Sequence, residues 1–441
     1  MALIEAALMG AELGDARRNQ RAALIVASIV QGQTSDTNAT PGSGRAAPWA
    51  HSMGSYRLYN SEEVTLPALY GAVKTALAEL VPIGKRVFLA HDFSVVDYTK
   101  HNDKKDRVQI GNQAGMGYDL YAALVLDAEG KPLGPLVTEL RNASGCLSSE
   151  STKIFKFVDH YKQVERGIAA AAVHLPGREC VHVMDREFDD IGLQRFLDGR
   201  NGLYVIRAQH LGRKVRHGHT ATSLREAVQK TRRRLSGEVE REGLRFERWV
   251  GEATVTFYKP SLRGSERGLM PKAGRPIDVR VVVTELRGIG HKGRHEWILL
   301  TNVDDEIESV VDAYLARWRV ERFFYLTKVG LRLEQWRQAS GEATARRLAL
   351  TMLAAMAMYQ LLANRDDPSV RAIATLGGWL GRKSDALGPV VMMRGALILV
   401  AGLCAVAQHG VDGLVRLADE SGLGFAVPEP LRDPRRRRGV A

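Results

Sequence analysis

The apolar positions of this chain fall into three textures. At the start they repeat with a helical period: MALIEAALMGAELG is amphipathic and ends near Gly14, and Asp15 then caps a second run, ARRNQRAALIVASIVQ, with arginines ahead of aliphatics. The stretch Gln31 to Ala50 is rich in Gly, Ser, Thr, Asn and Pro and reads as a linker, after which Ser61 with Glu62 and Glu63 opens another helix up to Leu80. From Lys85 the apolar runs shorten. RVFLAHDF, YDLYAALVLD and GPLVTEL, the last two separated by the turn AEGKP, read as three antiparallel strands. A helical segment over roughly Thr152 to Val173 follows, and then CVHVMDREFDD, whose apolar residues stop abruptly in a cluster of carboxylates. An amphipathic run, Ile191 to Leu197, leads to a further strand, GLYVIRA.

Between His210 and Glu296 this alternation is suspended. Leu211 to Arg234 carries eight Lys or Arg against the single acid Glu226, and RFERWVGEATVTFY and PIDVRVVVTEL behind it are strand-like, so the segment reads as a basic β-rich insertion. EWILLTN restores a core strand, and IESVVDAYLARWRVERFFYLTK reads as one long helix. Beyond Arg337 the chain is rich in Ala, Leu and Met and helical to about Gly424, with breaks at RDDPS and LGGWLGRKSDALGP, before a basic tail of Arg432 and Arg435 to Arg438. Strands followed by βα alternation, with acids at neighbouring strand ends and a late acid on a helix, describe an α/β, RNase H-like core. Three parts result: a helical unit over 1–70, the RNase H-like unit over 71–338 with its insertion at about 210–296, and a helical region over 339–441.

Composition narrows the partners. Lys plus Arg exceed Asp plus Glu by 62 − 50 = 12 and the pI is 9.6, which points to a polyanion, nucleic acid in preference to an anionic membrane surface. The apolar run Gly395 to Gln408 falls short of the roughly 20 residues that cross a bilayer and reads as a buried helix. Glu5 interrupts any signal-peptide pattern, and Cys146, Cys180 and Cys404 have no paired spacing, so the cytoplasm is the expected compartment.

The long helix concentrates the chemistry. At about 100° per residue, Tyr314, Arg317, Glu321 and Lys328 lie within about 60° of one another, a stripe suited to holding a divalent metal beside a phosphate. A solvated charged face is the other reading of such a stripe. Two-metal cleavage of nucleic acid needs carboxylates that converge from different elements. The candidates are Asp92, ending VFLAH, Asp185, ending CVHVM, and Glu321. Asp97 rivals Asp92 but lies a turn further into the loop, while Glu187, Asp189 and Asp190 read as structural support. Trp297 and Trp318 are core aromatics by default, and Arg207 would pair with a nearby acid.

The pattern Tyr-x2-Arg-x3-Glu-x6-Lys over 314–328 resembles the signature of insertion-sequence family four, the cut-and-paste DDE transposases. DREFDD is similar to that family's Asp-Arg-Glu segment, and LGDARRNQR and SMGSYRLYN to its N-terminal end-recognition domain. The likeness runs from about Leu13 to Leu380 and departs at Asp92, which His91 and Phe93 flank in place of a carboxylate and hydroxyl residues. The resemblance implies that Asp92, Asp185 and Glu321 bind two Mg²⁺ (or Mn²⁺) ions and that Tyr314, Arg317 and Lys328 hold the 5′ phosphate of the non-transferred strand. It further implies DNA contact by Arg207, a flipped base at Trp297 and Trp318, and end recognition by Arg17, Arg18, Arg21, Tyr56 and Arg57. Its partners would be transposon end DNA and target DNA, engaged by a homodimer in a synaptic complex that excises through a hairpin. Two other readings are an RNase H-like metal-dependent nuclease without strand transfer, and a non-catalytic, transposase-derived DNA-binding inhibitor.

Overall fold

The computed structural model describes residues 2–31, 48–111, 114–241, 244–259, 274–379 and 387–420. Most of the expected linker, the LGRKSDA break and the basic tail lie outside these residues. Four helices open the chain: α1 (Ala2–Met9), α2 (Ala16–Val30), α3 (Pro48–Tyr59) and α4 (Leu66–Leu80). Asp15 caps α2 by accepting from the Arg17 N–H at 2.7 Å, as its position in the sequence suggests. Helix α3 occupies the last residues of the stretch read as linker, and α4 starts later than expected, because Thr65 rather than Ser61 accepts from the first turn.

Next come β1 (Arg86–Asp97), β2 (Val108–Ile110), β3 (Gly115–Leu126), β4 (Pro132–Asn142), β5 (Gly145–Ser148) and β6 (Ser151–Phe155). β1, β3 and β4 form the expected antiparallel meander. β6 replaces the start of the segment read as helical: Ser151 to Phe155 fold back on β5, and α5 (His160–His174) begins only where Asp159 caps it. β7 (Glu179–Met184), α6 (Ile191–Asp198) and β8 (Leu203–Arg207) follow, with β1, β7 and β8 parallel.

The insertion holds β9 (Lys214–His217), β10 (Thr220–Ser223), α7 (Leu224–Lys230), β11 (Arg234–Arg241), β12 (Leu244–Phe257) and β13 (Ile277–Gly288), and β14 (Arg294–Thr301) returns to the core. Among the described residues one sheet runs β10-β9-β12-β13-β14-β8-β7-β1-β3-β4-β5-β6, so the insertion extends the core sheet through β14. Part of its basic run is spent on ion pairs: Arg213 with Asp189 at 2.7 Å, and Arg233 with Glu285 and Glu296 at 2.6 and 2.9 Å.

The single long helix expected after β14 is three pieces. α8 (Ile307–Ala316) and α9 (Trp318–Tyr325) meet at Arg317, whose backbone stays right-handed helical (φ −50°, ψ −34°). A π turn, Leu326–Gly330, then closes with Leu331 N–H on the Leu326 carbonyl at 2.8 Å. Such a turn shifts the phase of the residues it carries, Lys328 among them.

The chain ends, among the described residues, in α10 (Gly341–Ala363), α11 (Pro368–Leu376) and α12 (Pro389–Glu420). α10 is buried nearly throughout and shares one apolar cluster with Ile4, Ile25 and Val73 of the N-terminal helices and Leu136 of β4. Gly134 permits its approach to β4, since a Cβ there would lie 2.5 Å from Met356 Cγ. α12 overturns the reading of Gly395 to Gln408 as a buried helix: only Met392 and Gly395 are buried, whereas Ile398, Leu399, Leu403 and Val406 face outward. The helix runs past the apolar run, breaks at Gly410 (φ 64°, ψ 170°) and resumes to Glu420, and by length and composition it is long and apolar enough to cross a membrane.

Asp106 ties this helical region to the sheet. Its carboxylate accepts from the Tyr118 hydroxyl (2.6 Å), the Asn142 amide (2.9 Å) and the Gly341 N–H that begins α10 (2.7 Å). Asp106→Ala should cost about 3 kcal/mol, because hydrogen bonds to a charged group are worth about 1.5–3 kcal/mol each and some are replaced by water. A denaturant titration measures this, and an unchanged midpoint would mean that α10 is anchored by its apolar face alone.

Candidate active site

The parallel ladder lines up the first group of side chains. Its last rungs are His91 with Met184 and Met184 with Ile206, so Asp92, Asp185 and Arg207 each stand one residue beyond, in a row across β1, β7 and β8. β1 itself does not stop at Asp92, as the sequence suggests, but continues to Asp97. The row opens into a cleft where β7 ends. His91 and Phe93 point to the opposite face of the sheet: His91 is buried, with Nδ1 2.7 Å from the Tyr121 hydroxyl and Nε2 2.9 Å from His182 Nδ1, and Phe93 stacks on Phe188. Asp92 therefore faces α8 and α9. Asp97 accepts from the Thr99 N–H and lines neither of the clefts described below.

Opposite this row, Arg317 holds the centre. Its guanidinium is buried and lies 3.3 Å from Asp92, 3.6 Å from Asp185 and 2.7 Å from Glu321. Tyr314 donates to Asp185 at 3.1 Å, and Arg207 stands 3.7 Å from the same carboxylate. Burial pushes the Asp92 carboxyl up to about 6, with Arg317 the largest opposing influence. Lys328 stands apart in the π turn, donating to the Val95 carbonyl at 2.7 Å and lying 3.2 Å from Glu334. Of the stripe read on one helix face, Tyr314, Arg317 and Glu321 thus stand at the acids, and Lys328 lines the same cleft as Glu321 from the π turn, near the end of β1.

Two open clefts meet at Asp185 and Glu321. One, of about 630 Å³, is lined by Asp92, Glu187, Tyr325 and Lys328 besides the shared acids. The other, of about 720 Å³, is lined by Arg207, Trp297, Tyr314, Arg317 and Trp318. Trp318 is 52% exposed, while Trp297 is 9% exposed and stacks on His295 with ring centroids 5.9 Å apart. The N-terminal candidates gather on α2 and α3, outside both clefts. Arg17, Tyr56 and Arg57 are exposed, Arg18 pairs with Glu63 and donates to the Leu13 carbonyl, and Arg21 lies against Gly54, where a Cβ would sit 2.7 Å from its Cζ.

Glu187, which the sequence ranks with Asp189 and Asp190 as support, differs from them. Asp189 accepts from the Gln209 and His210 N–H groups, and Asp190 caps α6. Glu187 instead shares the smaller cleft with Asp92 and Asp185, and burial, then those two charges, push its carboxyl up to about 7. The short turn Arg186–Phe188, anchored by buried Phe188, swings it there. The buried phenylalanine one residue on was the available signal.

As placed, no group of three His, Cys, Asp or Glu among the described residues is arranged to hold a metal ion. In kind, however, Asp92, Asp185 and Glu321 are an all-oxygen set from three elements, as Mg²⁺ prefers, and Arg317 lies against all three. A family model described as Transposase DDE domain matches residues 85–357, a span that contains both clefts' acids. No curated protein matches the chain. The family match covers well over half of the 441 residues, and the protein belongs to the transposase DDE-domain family.

Proposed function

We propose that this transposase is a cut-and-paste enzyme of the insertion-sequence family four type, acting in the cytoplasm on nucleoid DNA. The observation that carries the reading is the convergence of Asp92, Asp185 and Glu321 on Arg317. The three acids would hold two Mg²⁺ or Mn²⁺ ions, which when bound activate the attacking oxygen and stabilise the leaving one. Arg317 offers a planar fork that matches a phosphate, Tyr314 a hydroxyl donor and Lys328 a point charge at the smaller cleft. Arg207 stands beside them on the larger cleft, whose Trp297 and Trp318 would take a flipped base. In this reading residues 1–70 recognise the transposon end through Arg17, Arg18, Arg21, Tyr56 and Arg57, 71–338 cut and join to target DNA, and 339–441 pair two protomers in the synaptic complex. The outward apolar residues of α12 are the surface for that pairing.

Inverted-repeat DNA from the flanks of the gene, incubated with the protein and Mg²⁺, should give a nick, then a hairpin, then joined product. Nicks that never lead to joining would leave a nuclease, and end binding without cleavage would leave an inhibitor. Trp297→Ala should keep the nick nearly intact and slow the hairpin by about 10- to 100-fold, since a stacked base is worth about 1–3 kcal/mol. An abasic nucleotide at the flipped position should rescue it. Equal slowing of both steps without rescue would make Trp297 a core residue only.

A further inference from the structure

α9 carries an acid between two aromatic rings. Trp318, Glu321 and Tyr325 stand at i, i+3 and i+7, which at about 100° per residue puts all three within about 60° of one another. One ring lies about a turn before the acid and the other about a turn beyond it. The backbone stays right-handed helical through Tyr325 (φ −59°, ψ −44°), so the phase holds to the last residue of the helix. Both rings are open to solvent, Trp318 at 52% and Tyr325 at 60% exposure.

The two rings face different clefts. Trp318 lines the larger one with Trp297 and Arg207, Tyr325 lines the smaller one with Asp92 and Lys328, and Glu321 lines both. Seven residues separate the rings by about 10 Å along the axis, about three times the 3.4 Å rise per nucleotide of a strand, so they cannot serve the same base. A lone exposed tyrosine is ordinary. This one shares its cleft with the three acids, and Val329, exposed as well, lines the same cleft. The smaller cleft therefore combines carboxylates and a lysine with an open aromatic and aliphatic surface. Trp297, by contrast, is nearly buried and already stacked on His295.

We propose that Tyr325 is a base-stacking residue of the smaller cleft, which takes the first nucleotide on the flanking side of the phosphate to be cut. This rests on the end-cutting reading above, in which the end strand occupies the larger cleft and its scissile phosphate lies at Asp185 and Glu321, where the clefts meet. The strand continues into the smaller cleft, past Tyr325. An aromatic face accepts any base, which suits flanking DNA, because its sequence differs at every site of insertion. Gripped on both sides of Glu321, the strand holds its phosphate in place against the acids.

The test compares two end duplexes bound without Mg²⁺, one that continues into flanking DNA and one that stops at the cut. Tyr325→Ala should bind the continuing duplex about 10- to 100-fold more weakly than wild type does and the stopped one equally well, from the ordinary strength of a base stacked on an aromatic ring. Tyr325→Phe should bind both as wild type does, and all three proteins should melt alike, because the ring is exposed. An abasic nucleotide at the first flanking position should cost the wild type the same factor and cost Tyr325→Ala nothing more. Equal weakening on both duplexes, no weakening on either, or the same abasic penalty in wild type and Tyr325→Ala would overturn the stack. A wild type that binds its own end no better than unrelated duplex would overturn the end-cutting reading, and with it the flanking position, even where Tyr325 and the abasic site stay coupled.

Discussion

Asp185→Asn is expected to lower end nicking by on the order of 10³-fold or more while leaving the protein folded and bound to DNA. The several kcal/mol that metal ions supply to a phosphoryl transition state depend on charged oxygen ligands, and each 1.36 kcal/mol is a factor of ten. Asp185 is the acid to choose because both clefts reach it and because Tyr314, Arg207 and Arg317 all face it. Asparagine keeps the oxygen that accepts from the Arg186 N–H at 2.7 Å, so the turn behind it has no reason to move. Stability should hold or rise, since three carboxylates crowd one guanidinium and the loss of one charge relieves repulsion. Nicking with Mg²⁺ and a melting curve on the same sample decide it. Asp97→Ala is the control, expected near wild type; a variant at Asp97 that is dead beside an active Asp92→Ala would move the first acid to Asp97.

The strands that carry these acids were legible because their buried residues are contiguous. VFLAH and CVHVM read as strands that stop in carboxylates, and both do lie at the row of Asp92 and Asp185. What was not legible depends on neighbours. Asp92 opens into a cleft because β7 stops beside it, a property of pairing that no single strand encodes. The segment from Thr152 read as helix because its residues suit either state, and the fold-back of Ser151 to Phe155 on β5 decided for strand. Gly395 to Gln408 has a core composition, yet burial needs a surface to pack against, and among the described residues only the start of α12 finds one. The long helix was legible as a stripe of charges but not as three pieces: the π turn that carries Lys328 leaves no mark in the sequence, although Lys328 still lines the cleft that Glu321 shares with Asp92 and Asp185.

Arg317→Ala should destabilise the metal-free protein by about 3 kcal/mol, seen as a fall in melting temperature of roughly 5 °C, and Mg²⁺ should restore much of it. Removing one partner of a buried charge cluster costs about 3–5 kcal/mol, because the remaining charges lose the one cation that touches all three and keep only Arg207, 3.7 Å from Asp185. The lower end applies here, since Asp185 and Glu321 retain 26% and 35% exposure and some solvent reaches them. Three carboxylates without that guanidinium then form an oxygen set that Arg207 alone balances in part. A cation at 100 times its dissociation constant stabilises a folded protein by about 2.7 kcal/mol, close to what was lost. In the wild type the same ion competes with Arg317 for the same oxygens, so its effect on melting should be smaller. The difference between the two Mg²⁺ responses is therefore the measurement, and it needs no DNA and no turnover. Arg317→Lys should fall between them, keeping a charge but losing the fork that spans all three acids. Equal Mg²⁺ shifts in wild type and Arg317→Ala would mean that the ion binds elsewhere, and an unchanged melting temperature in the variant would mean that Arg317 is not what balances the acids.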